Sequence, residues 1–166
     1  HWPRIIGIEC VGVVDDASDS GLQAGQQVVS MMGGLGRNFD GSYAEYALIP
    51  ATQVYPVRSR LDWPQLAALP EMYYTAYASL FERLKLAAGE TLLIRGGTSS
   101  VGLAALQLAK AAGARVFTTT RDTAKAVQLQ AMGADEVLSD TGRLNGVRAD
   151  KVLELVGAAT LKDSLQ

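Results

Sequence analysis

The sequence predicts an α/β chain: a small β-rich part, then a doubly wound parallel sheet that is incomplete at its C-terminal side. Three observations predict it. Short apolar runs separated by Gly and Asp clusters fill the first third, the punctuation of strands joined by turns. From Gly89 onward apolar strands alternate with helical stretches of about 10 to 15 residues, the pattern of βαβ units. One of those strands runs straight into a Gly/Ser-rich turn that opens a helix.

In chain order, residues 5–6, 11–14 and 27–30 read as strands. Residues 31–42 hold four glycines together with Asn38 and Asp40, so they read as a long loop, and such loops are often functional. Residues 43–49 alternate toward another strand, closed by Pro50. The texture changes after Trp63: residues 64–86 are rich in Ala, Leu, Glu and Tyr and read as helices broken near Pro70. Residues 91–95 form an apolar strand, and 100–112 a helix closed by Gly113 in the position that favours a left-handed cap. Residues 115–119 are a strand, 122–132 a helix closed by Gly133, and 136–138 and 151–156 two further strands. The expected organisation is a β domain over 1–60, connecting helices over 61–88, and a parallel-sheet domain over 89–166. No internal repeat or low-complexity tract is present.

Composition removes several function classes. Fifteen basic against seventeen acidic residues give a net charge of -2, without the basic stripe that nucleic-acid binding requires. The longest apolar stretch, 101–112, is interrupted by Gln107 and Lys110 and falls short of the ~20 residues of a membrane span. Cys10 is the one cysteine, so no disulfide forms within the chain, and a reducing cytoplasm is the expected setting. The sequence opens on His1, and Pro3-Arg4-Ile5-Ile6-Gly7 reads like the interior of a longer protein, so a fragment is expected.

The turn carries the strongest chemistry. Leu92-Leu93-Ile94-Arg95 leads into Gly96-Gly97-Thr98-Ser99-Ser100-Val101-Gly102. A dinucleotide site needs a tight turn, close approach of backbone to pyrophosphate, and close packing of helix on strand. Gly97 is expected to supply the turn and Gly102 the packing. Ser99 stands at the middle position, small enough for the backbone to approach, and Ser99 or Ser100 offers a hydroxyl to a phosphate oxygen. The helix start adds free amides and a partial positive charge. A ligand-free Gly/Ser turn is the competing reading. A serine-hydrolase elbow fails, because the G-x-S-x-G spacing is missed and the sole histidine is His1.

The second strand ends in Thr118-Thr119-Thr120-Arg121, with Lys125 one turn on. Hydroxyls and cations suit a ribose 2′-phosphate, where an NAD site places a carboxylate, so NADPH is expected over NADH. Asp122 is assigned to capping the next helix; a solvated helix start is the alternative for Arg121 and Lys125. One cysteine and one terminal histidine do not build a zinc site. Hydride transfer without a Lewis acid needs an electron-poor acceptor such as a quinone or a conjugated carbonyl, with a proton from Tyr or water. None of the six tyrosines has a lysine four residues on, which removes the short-chain dehydrogenase alternative.

Taken together these stretches resemble the zinc-independent, quinone oxidoreductase-like branch of the medium-chain dehydrogenase/reductase superfamily. Ile6-Gly7-Ile8-Glu9-Cys10 resembles the family's G-H-E segment, with Ile8 where the zinc-ligand histidine would stand. Asp40-Gly41-Ser42-Tyr43-Ala44-Glu45-Tyr46, Tyr74-Thr75-Ala76-Tyr77, the turn from Gly96 to Gly102, Met132-Gly133-Ala134-Asp135 and Leu153-Glu154-Leu155-Val156-Gly157 complete the likeness. The resemblance implies a partial GroES-like catalytic domain followed by a partial Rossmann-type domain. It implies that Thr75 lies near the nicotinamide, that Gly97, Thr98, Ser99, Ser100, Val101 and Gly102 surround the pyrophosphate, and that Thr120, Arg121 and Lys125 face the 2′-phosphate. Val156 and Gly157 would lie by the adenosine. Relative to the family, the start of the first domain and everything after the fourth strand of the second are missing.

Tyr43 and Thr75 are the catalytic candidates. Packing is the competing role for Tyr43, Tyr46 and Tyr77, back-bonding within a helix for Thr75, and Cys10 is expected to be an inert core residue. The expected function is hydride transfer from NADP(H) to a quinone or an α,β-unsaturated carbonyl without metal. An enoyl-thioester reductase and a non-catalytic NADP-binding module are the alternatives. No nucleic-acid or membrane partner is expected, and an open sheet edge makes a homo-oligomer the expected assembly.

Overall fold

The computed structural model describes residues 3–18 and 20–166. The chain divides into two compact units, one ending at Glu71 and one running from Met72 to Gln166. His1, set aside above as a catalytic base, lies outside the described residues.

In the first unit three strands form an antiparallel sheet: β1 (Glu9–Val13), β2 (Gln27–Met31) and β3 (Tyr55–Pro56), in the order β1-β2-β3. Cys10 lies opposite Ser30 and Val11 opposite Val29. The glycine-rich stretch after β2 is loop, as expected. Two expectations fail. Residues 5–6 are not in a strand, and neither are 43–49. The amides of Gly41, Ser42 and Tyr43 donate to the carbonyls of Ile5, Gly7 and Ile6 at irregular spacing, and no ladder continues beyond Tyr43. Without a partner strand, alternation alone leaves the segment extended and solvated. The unit closes with α1 (Trp63–Ala67), started by Asp62, whose carboxylate accepts from the amide of Gln65, and by Pro64 in the first turn.

α2 (Pro70–Tyr77) crosses the division between the units and runs into a six-residue π-helical turn, Ala78–Arg83. The second unit then lays down β4 (Thr91–Arg95), α3 (Ser100–Ala111), β5 (Arg115–Thr120), α4 (Ala126–Ala131), β6 (Glu136–Ser139), β7 (Lys151–Glu154) and α5 (Leu161–Ser164). α3 and α4 end alike. Gly113 and Gly133 take left-handed backbones, and the amides of Ala114 and Ala134 reach back to the carbonyls of Ala109 and Leu129. That is the Schellman closure glycine makes accessible. The expected helix over 122–132 is shorter than read: Thr123–Lys125 is a 3₁₀ turn and the α-helix begins at Ala126. The last strand stops at Glu154, not at Val156, because the Glu154 carboxylate takes the amides of Val156 and Gly157 out of the ladder.

The four strands are parallel throughout, in the order β6-β5-β4-β7. The chain builds outward from β4 through β5 to β6, then returns to place β7 on the other side of β4. This reversal beside the first strand is the doubly wound, Rossmann-type arrangement. Leu92 and Ile94 turn one face of β4 into a core with Ala105, Leu106 and Ala109 of α3, Val116 of β5 and Leu129 of α4. The alternate residues Thr91, Leu93 and Arg95 face the 144–150 loop and α5 across a cavity of about 550 Å³. Period-two alternation along β4 thus separates an apolar helix-covered face from one that carries a charge.

Candidate functional site

The reversal of strand order falls between β4 and β7, and the turn after β4 sits at its C-terminal mouth. In open parallel sheets ligands collect at this switch point. Gly96 adopts φ +86°, so the left-handed corner is at Gly96 and not at Gly97, where the sequence reading put it. Gly97 is required for a different reason: a Cβ there would lie 1.7 Å from Thr118 Oγ1. Gly102 does pack the helix onto the turn, since a Cβ on it would come 2.6 Å from the Gly96 carbonyl and 2.9 Å from the Gly97 Cα.

Ser99 is the N-cap of α3. Its hydroxyl accepts from the Gly102 amide at 3.1 Å and donates to the Gly96 carbonyl at 2.8 Å. Its proton is therefore committed; Ser99 and Ser100 are both exposed, and Ser100 is the one whose hydroxyl is not spent on the cap. The amides of Thr98, Ser100 and Val101 find no acceptor among the described residues. Three open amides thus lie at the positive end of a twelve-residue helix, a setting in which an anion is stabilised.

On one side of the turn, Thr120 spends its hydroxyl on a tight bend, donating to the Asp122 carbonyl and accepting from the Asp122 amide. Asp122 caps the next turn through the Ala124 amide at 3.0 Å. Arg121 and Lys125 stand exposed beyond it. On the other side, Gly96 abuts Val156 Cγ2 and Leu155, and Gly157 takes φ +99°. The candidate pyrophosphate, 2′-phosphate and adenosine residues therefore gather around one sheet end. Tyr43 and Thr75 belong to different units. Tyr43 is 76% exposed and Tyr46 73% exposed, with the Tyr43 ring lying beside Gly7. Tyr77, also exposed, stacks at a tilt on Phe81 with ring centroids 4.9 Å apart. Thr75 is half-buried on α2. Burial, with Glu9 beside it, pushes the Cys10 thiol above its ordinary range, which keeps it unreactive.

A buried ionic cluster behind the turn escaped the sequence reading. Arg95 is fully buried, donating from Nη2 to Asp140 Oδ1 at 2.7 Å, from Nε to Asp140 Oδ2 at 3.2 Å, and from Nη1 to Asp163 Oδ2 at 2.6 Å. The hydrogen bonds from Arg95 hold the Asp140 carboxyl below the usual carboxylate range against the opposing effect of burial. Burial pushes the Glu154 carboxyl up, but donation from Ser164, Gly157, Val156 and Thr160 more than offsets it. The clue was available: an arginine ending an otherwise apolar strand has to find carboxylates if that strand is central.

The donor set does not suit zinc. Among the described residues no group of three or more His, Cys, Asp or Glu is placed to hold a metal ion, and the sequence has a single cysteine and a single histidine. No helix of the described residues is long and apolar enough to cross a membrane.

Two protein families match the chain: the alcohol dehydrogenase GroES-like domain over residues 1–59 and the zinc-binding dehydrogenase over residues 100–166. Human quinone oxidoreductase is 34% identical over 93% of this chain and 45% of its own length. Lovastatin diketide synthase mokB of Monascus pilosus is 34% identical over 88% of this chain but only 6% of its own length. Among solved structures, mycobacterial Rv1454c complexed with NADPH superposes with a TM-score of 0.81 at 28% identity, over 99% of this chain and 55% of that one. The chain thus spans about half or less of the proteins it resembles.

Proposed function

We propose a function from one premise: the chain belongs to the medium-chain dehydrogenase/reductase superfamily, on its quinone oxidoreductase-like side. On that premise it is the dinucleotide-holding part of an oxidoreductase that uses NADPH to reduce a quinone or an α,β-unsaturated carbonyl. The observation that carries the reading is the turn itself. A left-handed glycine, two glycines with no room for a Cβ, and three open amides lie at the point where the strand order reverses.

NADPH, when bound, supplies the hydride. The amides of Thr98, Ser100 and Val101, with the Ser100 hydroxyl, hold the pyrophosphate, and Gly97 and Gly102 let the backbone reach it. Arg121 and Lys125 neutralise the 2′-phosphate, and Asp122 between them is turned to the Ala124 amide as a cap. Thr120 shapes that bend, and Val156 and Gly157 line the adenosine side. Thr75 flanks the nicotinamide, and Tyr43 or water returns the proton. With a donor set unsuited to zinc, the acceptor has to be electron-poor in its own right. The likeness to a diketide synthase favours a second reading within this chemistry, an enoyl thioester as the acceptor. A reducing cytoplasmic setting and self-association complete the proposal.

Calorimetric titration with NADPH and NADH tests the cofactor. Tighter binding of NADPH is expected; a preference for NADH, or no saturable binding of either, overturns the assignment. Steady-state NADPH oxidation with a quinone and with an enoyl thioester then separates the two acceptors, and binding without turnover of either reduces the chain to a binding module.

A further inference from the structure

We infer that the buried Arg95 guanidinium is the hub that holds both lips of the switch-point crevice in register, so that Arg95, Asp140 and Thr119 act as positioning residues for the dinucleotide. The inference rests on the reading of the turn as a dinucleotide site. One arm runs from Arg95 through two hydrogen bonds to Asp140, whose Oδ2 accepts from Thr119 Oγ1 at 2.9 Å. That hydroxyl oxygen accepts from the Gly96 amide at 3.1 Å, and the Thr119 carbonyl accepts from the Gly97 amide at 3.0 Å. The left-handed corner is thus pinned from behind by a side chain of the neighbouring strand. The other arm runs from Arg95 Nη1 to Ser164 Oγ at 3.4 Å, and from Ser164 to the Glu154 carboxylate at 2.6 Å. Glu154 in turn accepts from the amides of Val156 and Gly157, 2.7 and 3.1 Å away.

The two lips diverge just past the bond from the Leu155 amide to the Arg95 carbonyl, and beyond it the Gly96 amide and the amides of Val156 and Gly157 are held by side chains beneath them. A fork of five donors with fixed angles is suited to that task, because a flexible lysine would not lock two directions at once. Burial makes the arrangement stiff, since each carboxylate that loses the guanidinium is left as an uncompensated charge. The same feature makes Arg95→Met a poor test, for it threatens folding. The informative changes lie on the arms.

Thr119→Val keeps the branched shape and removes the hydroxyl between Asp140 and the Gly96 amide. NADPH affinity measured by calorimetry is expected to fall about tenfold, as for an amide that loses its partner, and Thr119→Ser is expected to restore it to within about twofold. Asp135→Ala is the stability control. It breaks the Lys110 ion pair and the bond from the Val116 amide far from the turn, and is expected to lower Tm while leaving the NADPH Kd unchanged. Should Thr119→Val fail to fold, Ser164→Ala tests the other arm by the same readout, with an expected loss of about threefold. Parent-like affinity in a folded Thr119→Val or Ser164→Ala variant, or an equal loss in Asp135→Ala, overturns the positioning role. Failure of the parent chain itself to bind NADPH overturns the underlying reading as well.

Discussion

The two units of this chain form sheets by opposite routes. The first pairs β1, β2 and β3 antiparallel across long loops and leaves Ile5, Ile6, Tyr43, Tyr46 and Leu48 exposed. The second pairs four parallel strands and fills one face with a continuous cluster from Ala76 to Leu153. The difference lies in where the information sits. In the second unit each strand, turn and helix carries its own local signals, and the helix returns the chain to the next strand. In the first, a strand exists only where a distant partner completes its ladder.

The largest effect that can break this comparison is at the tightest glycine. Gly97→Ala drives a Cβ against Thr118 Oγ1, a buried and rotamer-restricted neighbour. Overpacking of this kind is expected to cost roughly 3 kcal/mol and to weaken NADPH binding by about a hundredfold, read by thermal melting and calorimetry. Gly12→Ala in β1 has open space and no left-handed backbone, so its stability is expected to stay within about 0.5 kcal/mol of the parent. Equal sensitivity at the two positions would erase the distinction.

Acid titration gives an intermediate effect. The hydrogen bond from Lys110 holds Asp135 below the usual carboxylate range, and those from Arg95 do the same for Asp140. Their folded pKa values therefore lie beneath the unfolded value of about 3.9. The stability they contribute is complete above that value and is lost as pH falls through it toward the folded pKa. Melting temperatures should fall steeply below about pH 4, and Asp135→Asn should flatten part of that slope. A profile unchanged by the substitution would remove Asp135 from the account.

The smallest effect sharpens the cofactor assignment. Arg121→Ala and Lys125→Ala are each expected to weaken NADPH binding about fivefold while leaving NADH binding unchanged, since both side chains are exposed and screened by solvent. Parallel losses for the two cofactors would show that these cations do not read the 2′-phosphate.

Much of the second unit is legible in the sequence. Ser99, Gly113 and Gly133 mark helix ends by local chemistry, and the residues from Gly96 to Gly102 announce a strand-turn-helix. The corner was misplaced by one residue, because two adjacent glycines look alike in sequence while only Gly96 takes the left-handed backbone. The strand read over 43–49 was lost for a different reason: its alternation was real, but alternation offers a ladder and does not provide a partner.

By itself the sequence determined the alternating architecture, the position of the Gly/Ser-rich turn between β4 and α3, and the cations beyond β5. All of these depend on residue type and near-neighbour spacing. Only the tertiary structure decided that β7 returns beside β4, that Thr118 forbids a side chain at Gly97, and that Arg95 meets Asp140 and Asp163. Those facts join residues 21 to 68 positions apart, and no local propensity encodes which distant groups a buried charge will find.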